Sequence, residues 1–131
     1  MPRLTPRLVK TRTTGLALAA TLALASAPAG AVTEDNYMLN TGADLAALCG
    51  ATTEPSAIHM CQGFLVGAYR MAMAIGAGSE DRLVCIPTDG SVTRDTAARD
   101  LAAWIAATPD AQGMKPHVAM VTWARTAYPC E

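Results

Sequence analysis

The side chains best suited to chemistry in this sequence are four cysteines, Cys49, Cys61, Cys85 and Cys130, and two histidines, His59 and His117. A thiolate beside an imidazole makes a nucleophile, and cysteines grouped with histidines make a zinc site. The cysteines lie 12, 24 and 45 residues apart, without a C-x-x-C pair, and each histidine stands alone. Neither a zinc site nor a thioredoxin-type motif is spelled out. What the sulfurs do then depends on the compartment.

The N-terminus points to export. Arg3, Arg7, Lys10 and Arg12 precede the apolar run from Leu16 to Ala25, and small residues follow up to Ala29-Gly30-Ala31. That order reads as a secretory signal cleaved before Val32, since the run falls short of the ~20 residues of a membrane span. No adjacent arginine pair marks a twin-arginine route, so a Sec-type pathway is expected. Residues 1–31 are the expected signal peptide and 32–131 one small domain. In an oxidising compartment the cysteines go into two disulfides, which removes Cys61 as a partner for His59.

The whole chain carries 10 Lys/Arg against 11 Asp/Glu. The signal takes four of those cations and no acid, leaving six against eleven, or −5. That balance excludes an ordinary nucleic-acid binder. With 51% hydrophobic and 16% charged residues the chain is too apolar for a disordered tail, and 5% aromatics imply an aliphatic core. The charge runs Glu80-Asp81-Arg82 and Asp95, Arg99, Asp100 read as solvated surface. Met60, Met71, Met73, Met114 and Met120 read as core gap filling, and Trp104 and Trp123 as core anchors. No catalytic residue, metal ligand or cofactor motif is assigned.

The pattern is helical throughout. A lead-in segment, 32–40, is followed by Thr41 and Asp44, which suit the start of a short helix through Leu45, Leu48 and Cys49, with Gly50 just past its end. Pro55 suits the first turn of a second helix from about Ser56 to Ile75. This second helix is apolar nearly all round, but His59, Gln62 and Arg70 argue against lipid, so it is expected to be the buried centre of the domain. Gly63 and Gly67 then serve close helix approach. A loop from Gly76 to Asp81 leads to an extended stretch, Arg82 to Ile86, stopped by Pro87, and to a turn at Thr88-Asp89-Gly90.

Ser91 or Thr93 caps a third helix with Ala97, Leu101, Trp104, Ile105 and Thr108 on one face and an Asp95–Arg99 pair on the surface. Pro109-Asp110 and Gly113 mark a break. Pro116 opens a fourth helix, halted by Pro129. The fold class is all-α: a small four-helix, disulfide-stapled domain. Four cysteines allow three pairings. Helical hairpins favour Cys49 with Cys61 and Cys85 with Cys130, worth about 3 and 4 kcal/mol on the chain-entropy account.

The succession NTGADLAALC, CQGFLVGAYRMAMA, VCIPTDGSVTRD, a helix ending TPD and a last helix ending AYPC resembles the Rap/Tai immunity proteins of type VI secretion systems. The resemblance runs from about Asn36 to Cys130. It implies a periplasmic helical protein, often a homodimer, that binds and blocks a secreted toxin, typically a peptidoglycan amidase. It implies neither catalysis nor a cofactor. The positions that match are structural: Cys61, Gly63, Gly67, Cys85, Pro87, Pro129 and Cys130. A rigid scaffold of this kind would obstruct a toxin with exposed charged loops, here Glu80, Asp81 and Arg82 in one and Asp89 and Arg94 in the next. The alternative reading is a general periplasmic binding module, chaperone-like under acid stress.

Overall fold

A computed structural model describes residues 31–76 and 82–130. Residues 1–30 of the expected signal peptide and the loop residues Glu80 and Asp81 lie outside them. A 3-10 helix, Glu34–Met38, precedes five α-helices: α1 (Gly42–Gly50), α2 (Pro55–Ile75), α3 (Arg94–Ala107), α4 (Pro109–Gly113) and α5 (Pro116–Ala127). No strand occurs among the described residues.

The helix starts are written in capping residues and prolines. Thr41 Oγ1 accepts from the Asp44 amide at 3.2 Å, and the Thr41 amide donates to Asp44 Oδ2 at 2.9 Å, a reciprocal box that satisfies two orphan donors. Thr93, not Ser91, does the same for α3, accepting from the Thr96 amide at 3.1 Å. Prolines open α2, α4 and α5, where a missing amide hydrogen costs nothing. At 109–113 the expected break is a one-turn helix, because Pro109 restarts the chain after Thr108 leaves the helical region. Gly50 is the last helical residue rather than a left-handed stop, and Ala51 at φ −81° follows it.

The centre of the domain is α1, not α2. The nine residues of α1 touch every other helix, and Leu45, Leu48 and Cys49 are buried with Leu101 and Ile105 of α3. In the core they meet Ala57, Cys61 and Leu65 of α2, Ala98, Ala111, Ala119, Ala124 and Trp123. α2 packs mainly on α1 and α3. Only its row Ala57, Cys61 and Leu65, four residues apart, is buried. A domain of this size has too few elements to cover a 21-residue helix on all sides, whatever its composition.

The roles expected of the glycines and methionines move accordingly. At Gly63 and Gly67 an added Cβ would meet nothing within 4 Å, so neither marks a close approach. Gly42 does: its amide donates to the Met114 carbonyl at 2.7 Å, and a Cβ there would collide with the Ala111 carbonyl oxygen. Met120 is buried, but Met60, Met71 and Met73 face solvent, so most of the methionines expected in the core lie outside it. Trp123 is a core anchor, whereas Trp104 is only half-buried. The expected Asp95–Arg99 pair is replaced by two others. Gln62 Nε2 reaches across from α2 to Asp95 Oδ1 at 2.6 Å, and Arg99 contacts Asp100 at 3.3 Å on the surface.

Both expected disulfides are formed. Cys49–Cys61 ties α1 to α2, and Cys85–Cys130 ties the extended 82–86 stretch to the end of the chain. The latter stretch has no strand partner, but the Cys85 amide donates to the Tyr128 carbonyl at 3.0 Å.

Candidate partner-binding surface

All four cysteines are held in disulfides. Cys61 is bonded to Cys49, so exposed His59, two residues away, has no thiolate to activate, and His117 is equally exposed. No free cysteine and no cluster of three or more metal-ligating His, Cys, Asp or Glu occurs among the described residues. Perturbed ionisation has local structural causes. Burial opposes the charge of Asp44, but hydrogen bonds from the Asn36 side chain and from the Thr41 hydroxyl and amide outweigh it and hold the carboxyl below its ordinary value. Asp89 is held low by the Ser91 hydroxyl and amide, and Tyr128 is raised by burial and by Asp100.

Of the charged loop residues expected to meet a partner, Arg82, Asp89 and Arg94 are exposed, and no hydrogen bond or ion pair links one to another. Asp89 is occupied locally: its Oδ1 accepts from the Ser91 amide at 2.9 Å and from the Ser91 hydroxyl at 2.6 Å, while Gly90 at φ 82° completes the turn. Arg94 opens α3. Arg82 borders a concavity shared with Arg125, Pro129 and Cys130. They form separate features rather than one patch.

The surface that sequence reasoning missed lies on α2. Met60, Phe64, Met71 and Ile75 recur at intervals of four, seven and four, which places them along one edge of the helix. Phe64 is half-buried against the core, while Met71 is 62% and Ile75 77% exposed. Gly67 falls on the same edge and leaves it open to close approach. The signal was the all-round apolarity of this helix, which has two explanations: full burial, or one apolar face kept for something else.

Next to the second half of α2 an apolar cavity of about 60 Å³ is walled by Leu65, Tyr69, Leu83, Met120, Trp123 and Tyr128. Trp123 and Tyr128 meet edge-on, with ring centroids 5.6 Å apart. Elsewhere α1 turns Ala43, Ala46, Ala47 and Gly50 to an open groove of about 590 Å³. At the rim Glu54 accepts from the Tyr37 hydroxyl at 2.9 Å, which pins the 3-10 helix to the start of α2. The α2 edge and the small cavity present apolar side chains for contact.

The family model of the Rap1a immunity proteins matches residues 41–130. The chain belongs to this family. The match starts at the capping threonine of α1 and ends at Cys130, so it takes in the five α-helices and both disulfides and leaves out the 3-10 helix. The Rap1a match thus coincides with the unit that the helical core and both cross-links define. No curated protein and no solved structure matches the chain.

Proposed function

We propose that this chain is an exported immunity protein of a type VI secretion system, and that it protects the periplasm by binding and occluding a toxin rather than by catalysis. The Rap1a family match across α1 to Cys130 carries the reading. A cross-linked scaffold of short helices supports it, because a rigid body loses little conformational entropy on binding. A peptidoglycan amidase is the toxin class we propose, delivered to the compartment where these disulfides are stable. The signal peptide, removed before Val32, would bring the chain there through the Sec-type route.

The exposed edge of α2 would supply apolar contact, and the separate charged positions Arg82, Asp89 and Arg94 polar contacts, the two kinds of surface that a non-obligate interface combines. The test is protection. Cells that express the toxin of a neighbouring gene in the periplasm should survive when this chain is exported with it, and purified protein should bind the toxin at a fixed ratio. Met71→Glu with Ile75→Glu should abolish both. If the double variant only separates a homodimer and leaves protection intact, α2 is the dimer seam and the loops meet the toxin.

One observation favours a second reading. Methionine-rich exposed faces suit binding of many partners, because the unbranched side chain adapts its shape. A periplasmic pull-down that returns a broad set of unfolded clients would favour a chaperone-like binding module over immunity.

A further inference from the structure

We propose that the Cys85–Cys130 bond is a thiol-exchange site, attacked at Cys130 by a dithiol whose thiolate is drawn in by Arg82 and Arg125, while Cys49–Cys61 stays closed. The two disulfides differ in access. Cys49 and Cys61 are 1% and 0% exposed, whereas Cys85 and Cys130 are only half-buried. Cys130 also walls an open concavity of about 350 Å³ together with Arg82, Leu83, Arg125 and Pro129. Neither arginine makes a hydrogen bond or ion pair with a described residue, and among the described residues no acid lines the concavity.

This arrangement suits the chemistry of exchange. The attacking species is a thiolate, and neighbouring guanidinium groups both attract that anion and favour its deprotonated form. The thiolate sulfur of the dithiol bonds to Cys130 Sγ as the Cys85–Cys130 bond breaks. Its electron pair leaves on Cys85 Sγ, which takes a proton from water. The second thiol of the reductant, deprotonated, attacks its own first sulfur in the mixed disulfide. That closes a cyclic disulfide and expels Cys130 as a thiolate, which is protonated in turn. The protein gains two electrons and two protons, and the dithiol loses them.

Opening would loosen a defined part of the fold. Besides the cross-link, the 82–86 stretch is held to the end of α5 by the Cys85 to Tyr128 backbone hydrogen bond and by apolar contact. Leu83, Val84 and Ile86 line the small apolar cavity with Trp123 and Tyr128, so their release uncovers that surface while the α1–α3 core keeps its own disulfide.

The experiment treats folded protein with graded dithiothreitol, alkylates free thiols and maps them by mass spectrometry. Cys85 and Cys130 should be labelled at least about tenfold faster than Cys49 and Cys61, as expected of local rather than global opening. Arg82→Gln and Arg125→Gln should each slow the labelling about threefold, and high salt should slow the unaltered protein in the same way. Arg82→Lys and Arg125→Lys should keep the rate. Equal labelling of the two pairs, or earlier labelling of Cys49 and Cys61, overturns the proposal. Rates that respond neither to the glutamines nor to salt overturn the guiding role of Arg82 and Arg125. Should a glutamine variant misfold, the salt dependence of the unaltered protein decides.

Discussion

α1 and α2 lie side by side and are joined by a disulfide, yet they have opposite relations to water. α1 has nine residues and buries Gly42, Leu45, Leu48 and Cys49; α2 has 21 and buries Ala57, Cys61 and Leu65. The longer helix has the greater supply of large apolar side chains and the smaller share of the core. Burial therefore follows from how many elements can approach a helix, which in α1 is set by Gly42 and the alanines between its leucines. Bulk works the other way on the outer side of α2, where Met60, Met71 and Ile75 face no element among the described residues.

The largest effect should come from hollowing the hub. Leu48→Ala should destabilise the domain by about 2 to 5 kcal/mol, the range for truncating a buried leucine, seen as a lower denaturation midpoint at unchanged slope. Ile75→Ala at the far end of α2 should stay within about 0.5 kcal/mol of the parent. Comparable losses at the two sites would mean that α2 is covered in solution, by a second copy for instance. Next in size is Gly42→Ala. Its Cβ has no room beside the Ala111 carbonyl, so α1 and α4 must separate, at a cost of about 1 to 3 kcal/mol. A neutral outcome in the same denaturation measurement would show that the one-turn α4 yields freely, and α1 would lose its standing as a tightly enclosed helix.

The physical basis of this contrast also explains what was readable from sequence. Helix starts were legible because Thr41, Pro55, Thr93 and Pro116 act through local chemistry that needs no tertiary partner. The disulfide pairing was legible because helical hairpins bring their own ends together. Which helix would be the hub was not, since periodicity ranks faces within a helix but says nothing of how many neighbours compete for each face. For the same reason glycines four apart on α2 suggested close packing, while Gly42, whose partner lies about 70 residues on, gave no local sign. The α2 edge was hidden in plain composition: the same methionines fit a core or an interface until the neighbours are known.

Acid should weaken the hub before it touches α2, by a smaller amount. Asp44 has a lowered pKa in the folded protein, so the stability it contributes is complete above the ordinary carboxylate value of 3.8 and is lost as pH falls through the lower folded value. Asp44→Asn should flatten that acid limb, and Thr41→Ala, which removes the cap itself, should cost about 1 kcal/mol at neutral pH. An acid limb as steep in Asp44→Asn as in the parent would place the titration elsewhere.

The smallest expected change is the one that separates stability from binding on α2. Gly67 sits mid-helix, exposed, with open space where a Cβ would be, so Gly67→Ala should stabilise the domain by about 1 kcal/mol through helix propensity alone. Selection for stability would favour the alanine. A glycine there leaves room for another surface against the Met60 to Ile75 edge, close enough that a methyl group would obstruct it. The two effects have opposite signs in two measurements: the denaturation midpoint should rise while affinity for the toxin, or self-association, falls. A rise in both, or unchanged binding at higher stability, would remove Gly67 from the interface and leave the apolar edge of α2 to be read as surface that the remaining helices are too few to cover.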